Sequence, residues 1–396
     1  MSTLALHGGN PVRTDPWPIW PQSGEAEKVN LLSVLESGVW GGYSDLVQEF
    51  EAAFAKLHEV KHCIAVANGT TSLEAALRVL SVEAGDEVIV PPYTFIATAN
   101  APKLAGATPV FVDVEPDTYN LDIAAVEAAI TPRTKAIIPV HFAGHPVDMD
   151  ALMPLAEKHG IGIVEDAAHA HGTTWRGRPV GGIGHVGSFS LQESKNLTAG
   201  EGGILITNDD DLAEKLWSFA NQGRAIDGKW YEHEMLGSNL RITGWQAAIL
   251  MGQLERFDEQ LNRRMENARR LRAILSEVDG LAPMRWDERC EKHAHHLLMM
   301  RYDEKRFAGV KRDLFVQALN AEGINCSTGY AYPLYHQPPL NAEHAIIHEC
   351  PVAERACKEV IWLTQNMLLA EPEGMEQIGE AILKVREGVD SLRGRA

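Results

Sequence analysis

The chain has 396 residues, 45% hydrophobic and 23% charged, enough to bury more than one typical core, so a large domain and a smaller one are expected. Its 36 basic against 54 acidic residues give a net charge of −18, which argues against nucleic acid or an anionic membrane as partner but is compatible with a local basic pocket. Cys63, Cys290, Cys326, Cys350 and Cys357 offer no CxxC zinc spacing, no run is long enough to span a membrane, and the Pro-rich 1–22 segment lacks the apolar stretch of a secretion signal, so a cytoplasmic protein with reduced thiols is expected.

From about His62, short apolar runs alternate with helix-like segments, the rhythm of βα units in a mostly parallel sheet. Strands are predicted at 63–67, 87–90, 109–114, 135–140, 161–165, 188–191 and 203–207, and helices at 71–80, 94–104, 123–130, 149–159 and 210–221. Between Thr243 and about Val278 there is no proline, and Ile249, Leu254, Phe257, Leu261 and Met265 recur at helical spacing, which predicts one long linking helix. The composition shifts after Gly280, and a helix at 311–321 follows. The expected division is 1–250, a large α/β domain with an N-terminal arm, and 251–396, the linking helix and a small C-terminal α+β domain.

Asp166 follows Ile163-Val164-Glu165 at the end of a predicted strand, and Lys195 comes 195 − 166 = 29 residues later, just ahead of Thr198-Ala199-Gly200-Glu201-Gly202-Gly203. A carboxylate ending a buried strand, then a lysine in a Ser/Gly-rich loop, suggests pyridoxal 5′-phosphate. That cofactor needs an amine to hold its aldehyde as a Schiff base and an anion at its pyridine nitrogen. Taken singly, an aspartate at a strand end ordinarily caps a helix and a lysine is ordinarily a surface charge; the neighbouring motifs give the pair its meaning.

Asn68-Gly69-Thr70-Thr71-Ser72 lies between a predicted strand and helix, where backbone amides attract an anion such as the cofactor phosphate; a plain helix cap is the alternative. Ser190 adds a hydroxyl, Phe95 is an aromatic ring able to stack on a flat cofactor, and His169 borders the same region, each with a plain packing role as its alternative. Gly182-Ile183-Gly184-His185-Val186-Gly187 has the letters of a dinucleotide fingerprint, but a β-like run follows it where a helix is required. His293, His295 and His296 with Cys290 and Glu291 match no standard metal spacing, so a structural strand is expected there and no metal.

Across most of its length the sequence resembles the DegT/StrS family of sugar aminotransferases, pyridoxal-phosphate enzymes of the aspartate-aminotransferase fold (fold type I). The resemblance rests on Gly38-Val39-Trp40-Gly41-Gly42, Asn68-Gly69-Thr70, Pro92-Tyr93-Thr94-Phe95, Val140-His141-Phe142-Ala143-Gly144, Glu165-Asp166-Ala167-Ala168-His169-Ala170, Ser188-Phe189-Ser190 with Lys195, and Gly237-Ser238-Asn239-Leu240-Arg241. It implies Lys195 as the residue forming the Schiff base, Asp166 on the pyridine nitrogen and Phe95 on the ring, with Gly69, Thr70 and Ser190 at the phosphate. It further implies that Asn239 reaches the phosphate of a neighbouring subunit, making a homodimer with shared sites. Arg241 and His336 are candidate substrate contacts. The donor expected from the resemblance is L-glutamine or L-glutamate, and the acceptor a keto-sugar or ketocyclitol; the opening Leu4-Ala5-Leu6-His7-Gly8-Gly9 looks most like the branch acting on inososes and aminohydroxybenzoate precursors. Lysine at 195, where family dehydratases carry histidine, favours transamination over a lyase or dehydratase on the same fold. A nucleotide-linked keto-sugar as acceptor and a cofactor-binding regulatory protein are the remaining alternatives.

Overall fold

The computed structural model describes residues 3–229 and 231–393. The apolar runs of the first half form strands β1 (His62–Val66), β2 (Glu87–Val90), β3 (Thr108–Phe111), β4 (Thr134–Ile137) and β5 (Gly162–Asp166). A short hairpin, β6 (Thr174–Trp175) and β7 (Arg178–Pro179), precedes β8 (Val186–Ser190) and β9 (Gly203–Thr207). Later come β10 (Leu281–Pro283), β11 (Leu297–Tyr302), β12 (Cys326–Ser327), β13 (Ile346–Ile347) and β14 (Val360–Thr364). The helices are α1 (Glu25–Ser37), α2 (Asp45–Leu57), α3 (Gly69–Val79), α4 (Ala97–Ala105), α5 (Ile123–Ala129), α6 (Met149–His159), α7 (Asp210–Ala220), α8 (Gly244–Glu255), α9 (Phe257–Ser276), α10 (Arg312–Ala321), α11 (Pro351–Glu359) and α12 (Pro372–Glu387).

One eight-stranded sheet has the order β1-β9-β8-β5-β4-β2-β3-β13. Strand β9 runs antiparallel to both neighbours and the other pairings are parallel, as the βα rhythm predicts. Side chains alternate across it: Ile89, Ile163, Ile204 and Ile206 enter one apolar cluster, while Val88, Val90, Val164 and Leu205 enter another. Both faces are therefore covered, and the strands read as continuous apolar runs. A second, four-stranded antiparallel sheet, β10-β11-β14-β12, packs in a separate cluster with α9, α10 and α12. Leu4 and Trp17 of the N-terminal arm are buried in that same cluster, and β13 returns to the edge of the large sheet.

The predicted single helix from 243 to 278 is two helices, α8 and α9. Arg256 between them has φ −109° and ψ 5°, outside the helical well. Its guanidinium donates to Gly252 O at 3.0 Å and Gln22 O at 2.6 Å and pairs with Glu27, so tertiary bonds to the arm and α1 fix the break without proline. Beyond the break, Gln260, Arg264 and Asn267 form a buried polar stripe on α9 at i, i+4 and i+7. Gln260 donates to Gln22 Oε1 at 2.9 Å, and Asn267 to the carbonyls of Leu368 and Ala370 at 2.9 and 2.8 Å, which binds arm and C-terminal loop to one helix face.

Candidate active site

The carboxyl edge of the large sheet opens into a cavity of about 1380 Å³. Its walls come from segments that follow β1, β2, β5 and β8, from β11 and β14, and from Pro18, Ile19 and Trp20 of the arm. Open α/β sheets bind ligands at this edge because loops diverge there while the strands stay fixed. Gly69, Thr70, Phe95, Asp166, His169, Ser190 and Lys195, predicted from scattered segments, all line it.

Gly69 and Thr70 form the first turn of α3, whose cap Asn68 accepts the Thr71 amide on Oδ1 at 2.9 Å, a bond that contributes about 1 kcal/mol to a helix. A Cβ at Gly69 would lie 2.9 Å from Cβ of Ser190, and one at Gly203 would lie 2.4 Å from the backbone carbon of Asn68. The helix terminus is thus pressed onto β8 and β9 at a distance only glycine permits, and its positive end opens into the cavity.

Asp166 ends β5 and is buried. Its Oδ2 accepts from Thr98 Oγ1 at 2.8 Å and its Oδ1 from the Ala168 amide at 3.2 Å. Burial raises its carboxyl above the ordinary value, against the pull of those two donors and of Lys195. Among the described residues no ion pair satisfies it. For Lys195, burial pushes the ammonium down to about 8, with Asp166 acting in the opposite direction. The lysine loop is held by its own turn, Lys195 N to Gln192 O at 2.8 Å, and by the arm, Trp20 Nε1 to Glu193 O at 3.0 Å.

Phe95 is 58% exposed although it sits at the cavity wall, an unusual state for a phenylalanine of an α/β core. His169 accepts the Ala143 amide on Nδ1 at 3.3 Å, which puts its proton on Nε2. Its ring lies 4.2 Å from that of His296, and burial holds both imidazoles well below their ordinary range, so both are neutral at pH 7.

Amides in and beside the glycine run 182–187 are taken up by a protein carboxylate. The amides of Gly181, Ile183 and Gly184 donate to the buried Glu165 carboxylate at 2.7, 2.8 and 2.5 Å. Glu165 also meets His141 Nε2 at 2.8 Å on the sheet face opposite Asp166, so this loop is structural. His293, His295 and His296 lie in the loop before β11 rather than in a strand, as had been expected. The first two rings stack at 3.8 Å, and among the described residues no group of three His, Cys, Asp or Glu is placed to hold a metal ion.

The sequence profile of the DegT/DnrJ/EryC1/StrS aminotransferase family matches residues 21–383. The chain belongs to this family. A Streptoalloteichus tenebrarius protein provisionally named L-glutamine:3-amino-2,3-dideoxy-scyllo-inosose aminotransferase is 41% identical over 99% of this chain and 100% of its own length. The 3-amino-5-hydroxybenzoate synthase of Amycolatopsis mediterranei is 40% identical over 92% of this chain and 96% of its own. A crystal structure of 3-amino-5-hydroxybenzoic acid synthase superposes with a TM-score of 0.87 at 37% identity, covering 94% of this chain and 99% of that one. The fold is therefore the type I aminotransferase fold expected from the sequence, and the enzyme is an aminotransferase.

Three predicted residues of the aminotransferase are not brought to this cavity. Asn239 is exposed on a segment that pairs with Asn221, and Arg241 lies beside the Tyr43 ring at 5.6 Å with Asn221 Oδ1 at 3.5 Å. His336 is at the surface, where Nε2 meets Glu354 Oε1 at 3.2 Å. Sequence reading missed Thr98, Trp20, Tyr330, Trp362 and Gln365, all of which line the cavity. Thr98 stands four residues after Thr94 on α4 and had a periodic signal; the others come from distant segments and had none. No helix of the described residues is long and apolar enough to cross a membrane.

Proposed function

We propose that this aminotransferase uses pyridoxal 5′-phosphate to move the amino group of L-glutamine or L-glutamate onto a neutral, unphosphorylated ketocyclitol. The residues fit that cofactor: a buried carboxylate without a bonded cation, a helix terminus with an anion cradle closed by glycine, an exposed aromatic ring and a partly neutral lysine. When bound, the cofactor supplies a carbonyl that condenses with amines and a ring that draws electrons from the adjacent carbon. Gly69, Thr70 and Ser190 would hold its phosphate, Phe95 its ring face, and Asp166, oriented by Thr98 and the Ala168 amide, its ring N–H. Lys195 Nζ, neutral above a pH of about 8, is placed to bind the carbonyl carbon and, once released, to take and return the substrate proton.

The acceptor reading is carried by one observation. Among the described residues lining the cavity, Lys195 is the one cationic side chain, His169 and His296 being neutral, while Glu193 and Glu201 are present. The α3 terminus can take one anion, which the cofactor phosphate uses, so a nucleoside diphosphate would meet carboxylates and little compensation. The names of the two relatives, an inosose aminotransferase and an aminohydroxybenzoate synthase, support the same choice. The test is an acceptor screen after conversion with L-glutamine: we expect an inosose to be aminated and nucleotide-linked keto-sugars to be refused. Amination of the nucleotide sugars alone would overturn the acceptor assignment, and keto-acid release with no aminated product would favour a lyase.

We further propose a homodimer that shares its sites through Asn239. Its support is an exposed apolar band, with Val29, Leu32 and Leu35 on α1, Trp40 and Tyr43 after it, and Leu236, 92% exposed, near Asn239. A band of this kind on a single chain marks an interface. Light scattering is expected to give twice the chain mass, and Leu32→Glu with Leu35→Glu to give monomers that lose cofactor on gel filtration. A cofactor-loaded monomer would sink the shared site.

A further inference from the structure

Arg264 is fully buried on α9, and among the described residues no carboxylate pairs with it. Its Nε and Nη2 both donate to Gln365 Oε1, at 2.9 and 2.6 Å, its Nη1 has no partner among the described residues, and its Cζ lies 5.1 Å from the Trp20 ring centre. A buried cation with no anion is expensive, so one placed directly behind the cavity wall calls for a function. A guanidinium can only donate, which fixes the contacted atom of Gln365 as oxygen and turns its amide nitrogen the other way. Gln365 is 2% exposed and yet lines the cavity, and its Nε2 is not among the sealed, unpartnered atoms.

We propose that Gln365, held and polarised from behind by Arg264, is the residue that positions the carboxylate of the amino donor and, in the other half of the cycle, a hydroxyl of the acceptor. This rests on the aminotransferase reading above and deepens it. One cavity must accept a charged amino acid and then a neutral polyol. An arginine at the surface would suit the first and be left unpaired by the second. An amide whose N–H groups are strengthened by a buried positive charge serves both, because it donates to a carboxylate or to a hydroxyl oxygen and leaves no naked ion behind. Asn366, the next residue, fixes the wall itself: its Nδ2 donates to Pro18 O at 2.8 Å and its Oδ1 accepts from Thr364 at 2.7 Å.

The decisive variant is Gln365→Glu in the cofactor-loaded enzyme. The substitution keeps the shape and gives Arg264 an anion, so the melting temperature is expected to hold or rise. It also replaces the N–H donors by an acceptor, so binding of glutarate, a dicarboxylate with no amine to react, should weaken roughly 30-fold in calorimetry, and the donor KM should rise by a similar factor with little change in kcat. The acceptor KM should change much less, since a hydroxyl can donate to the new oxygen. Unchanged glutarate binding would overturn the proposal, as would equal losses for donor and acceptor with a lowered melting temperature, the signature of a structural residue. Glutarate titration reads the carboxylate subsite without turnover; if no donor converted even the native enzyme, the aminotransferase reading would fail separately.

Discussion

Replacing Lys195 with alanine is expected to lower transamination by about 10⁴-fold, the loss associated with removing a positioned proton-transfer group, and to remove the visible absorbance of cofactor attached through the lysine. The two losses should occur together, because one nitrogen holds the carbonyl and moves the proton. Folding should be unaffected, since the Lys195 side chain makes no hydrogen bond among the described residues and its loop is fixed by backbone bonds and by Trp20. In the native protein stripped of cofactor, the rate of attachment should follow the neutral amine. Burial pushes the ammonium down to about 8, so the rate should rise with pH through that value and level off above it. A midpoint near the ordinary lysine value of about 10.4 would mean that the amine is solvated before cofactor binds. Retained turnover in the alanine variant would remove Lys195 from the chemistry.

Asp166→Asn should lower activity by about 10³-fold and at the same time stabilise the cofactor-free protein. The amide keeps an oxygen for Thr98 or the Ala168 N–H but no longer offers a full charge to a ring N–H. The stability effect has a definite sign. Burial raises the Asp166 carboxyl in the folded state, so the folded protein binds more protons than the unfolded chain between the ordinary and the raised value. Stability is then lost as pH rises through that window, and at neutral pH the native carboxylate is a net cost. Thermal melting of apo-protein should therefore favour asparagine at pH 7 and show no advantage in acid below the ordinary carboxylate range. Higher activity without higher cost in the native protein would contradict the assignment.

The parallel sheet was legible because strands buried on both faces are written as uninterrupted apolar runs, and Gly203–Thr207 and Met149–His159 stand where periodicity predicted them. The strands at 109–114 and 135–140 end early, at Phe111 and Ile137; Pro139, which has no N–H to give a ladder, marks the second departure, and the apolar run beyond Phe111 hid the first. Asp166 and Lys195 were legible because their chemistry is local and their neighbours carry family motifs. Trp20, Gln365 and Arg264 were not: an arm residue, a loop glutamine and a helix arginine have meaning only once segments 101 and 173 residues apart are packed together. Arg264 was further disguised, because an arginine inside an amphipathic helix reads as solvated. The role of Asn239 was read from resemblance alone, and its exposed position outside the lining of this chain's cavity accords with the dimer proposed above.

The packing of the arm also orders events in time. Pro18 is bonded to Asn366 across 348 residues of chain, and Leu4 and Trp17 are buried among Met367, Leu368, Met375 and Ile378. During synthesis the partners of Leu4, Trp17 and Pro18, from Gly323 to the last helix, emerge late, whereas Asp166, Lys195 and nearly all of the large sheet are available much earlier. The nascent chain thus holds Lys195 in an unroofed cleft, and the wall of the cavity built from the arm and residues 364–366 is the last piece to lock.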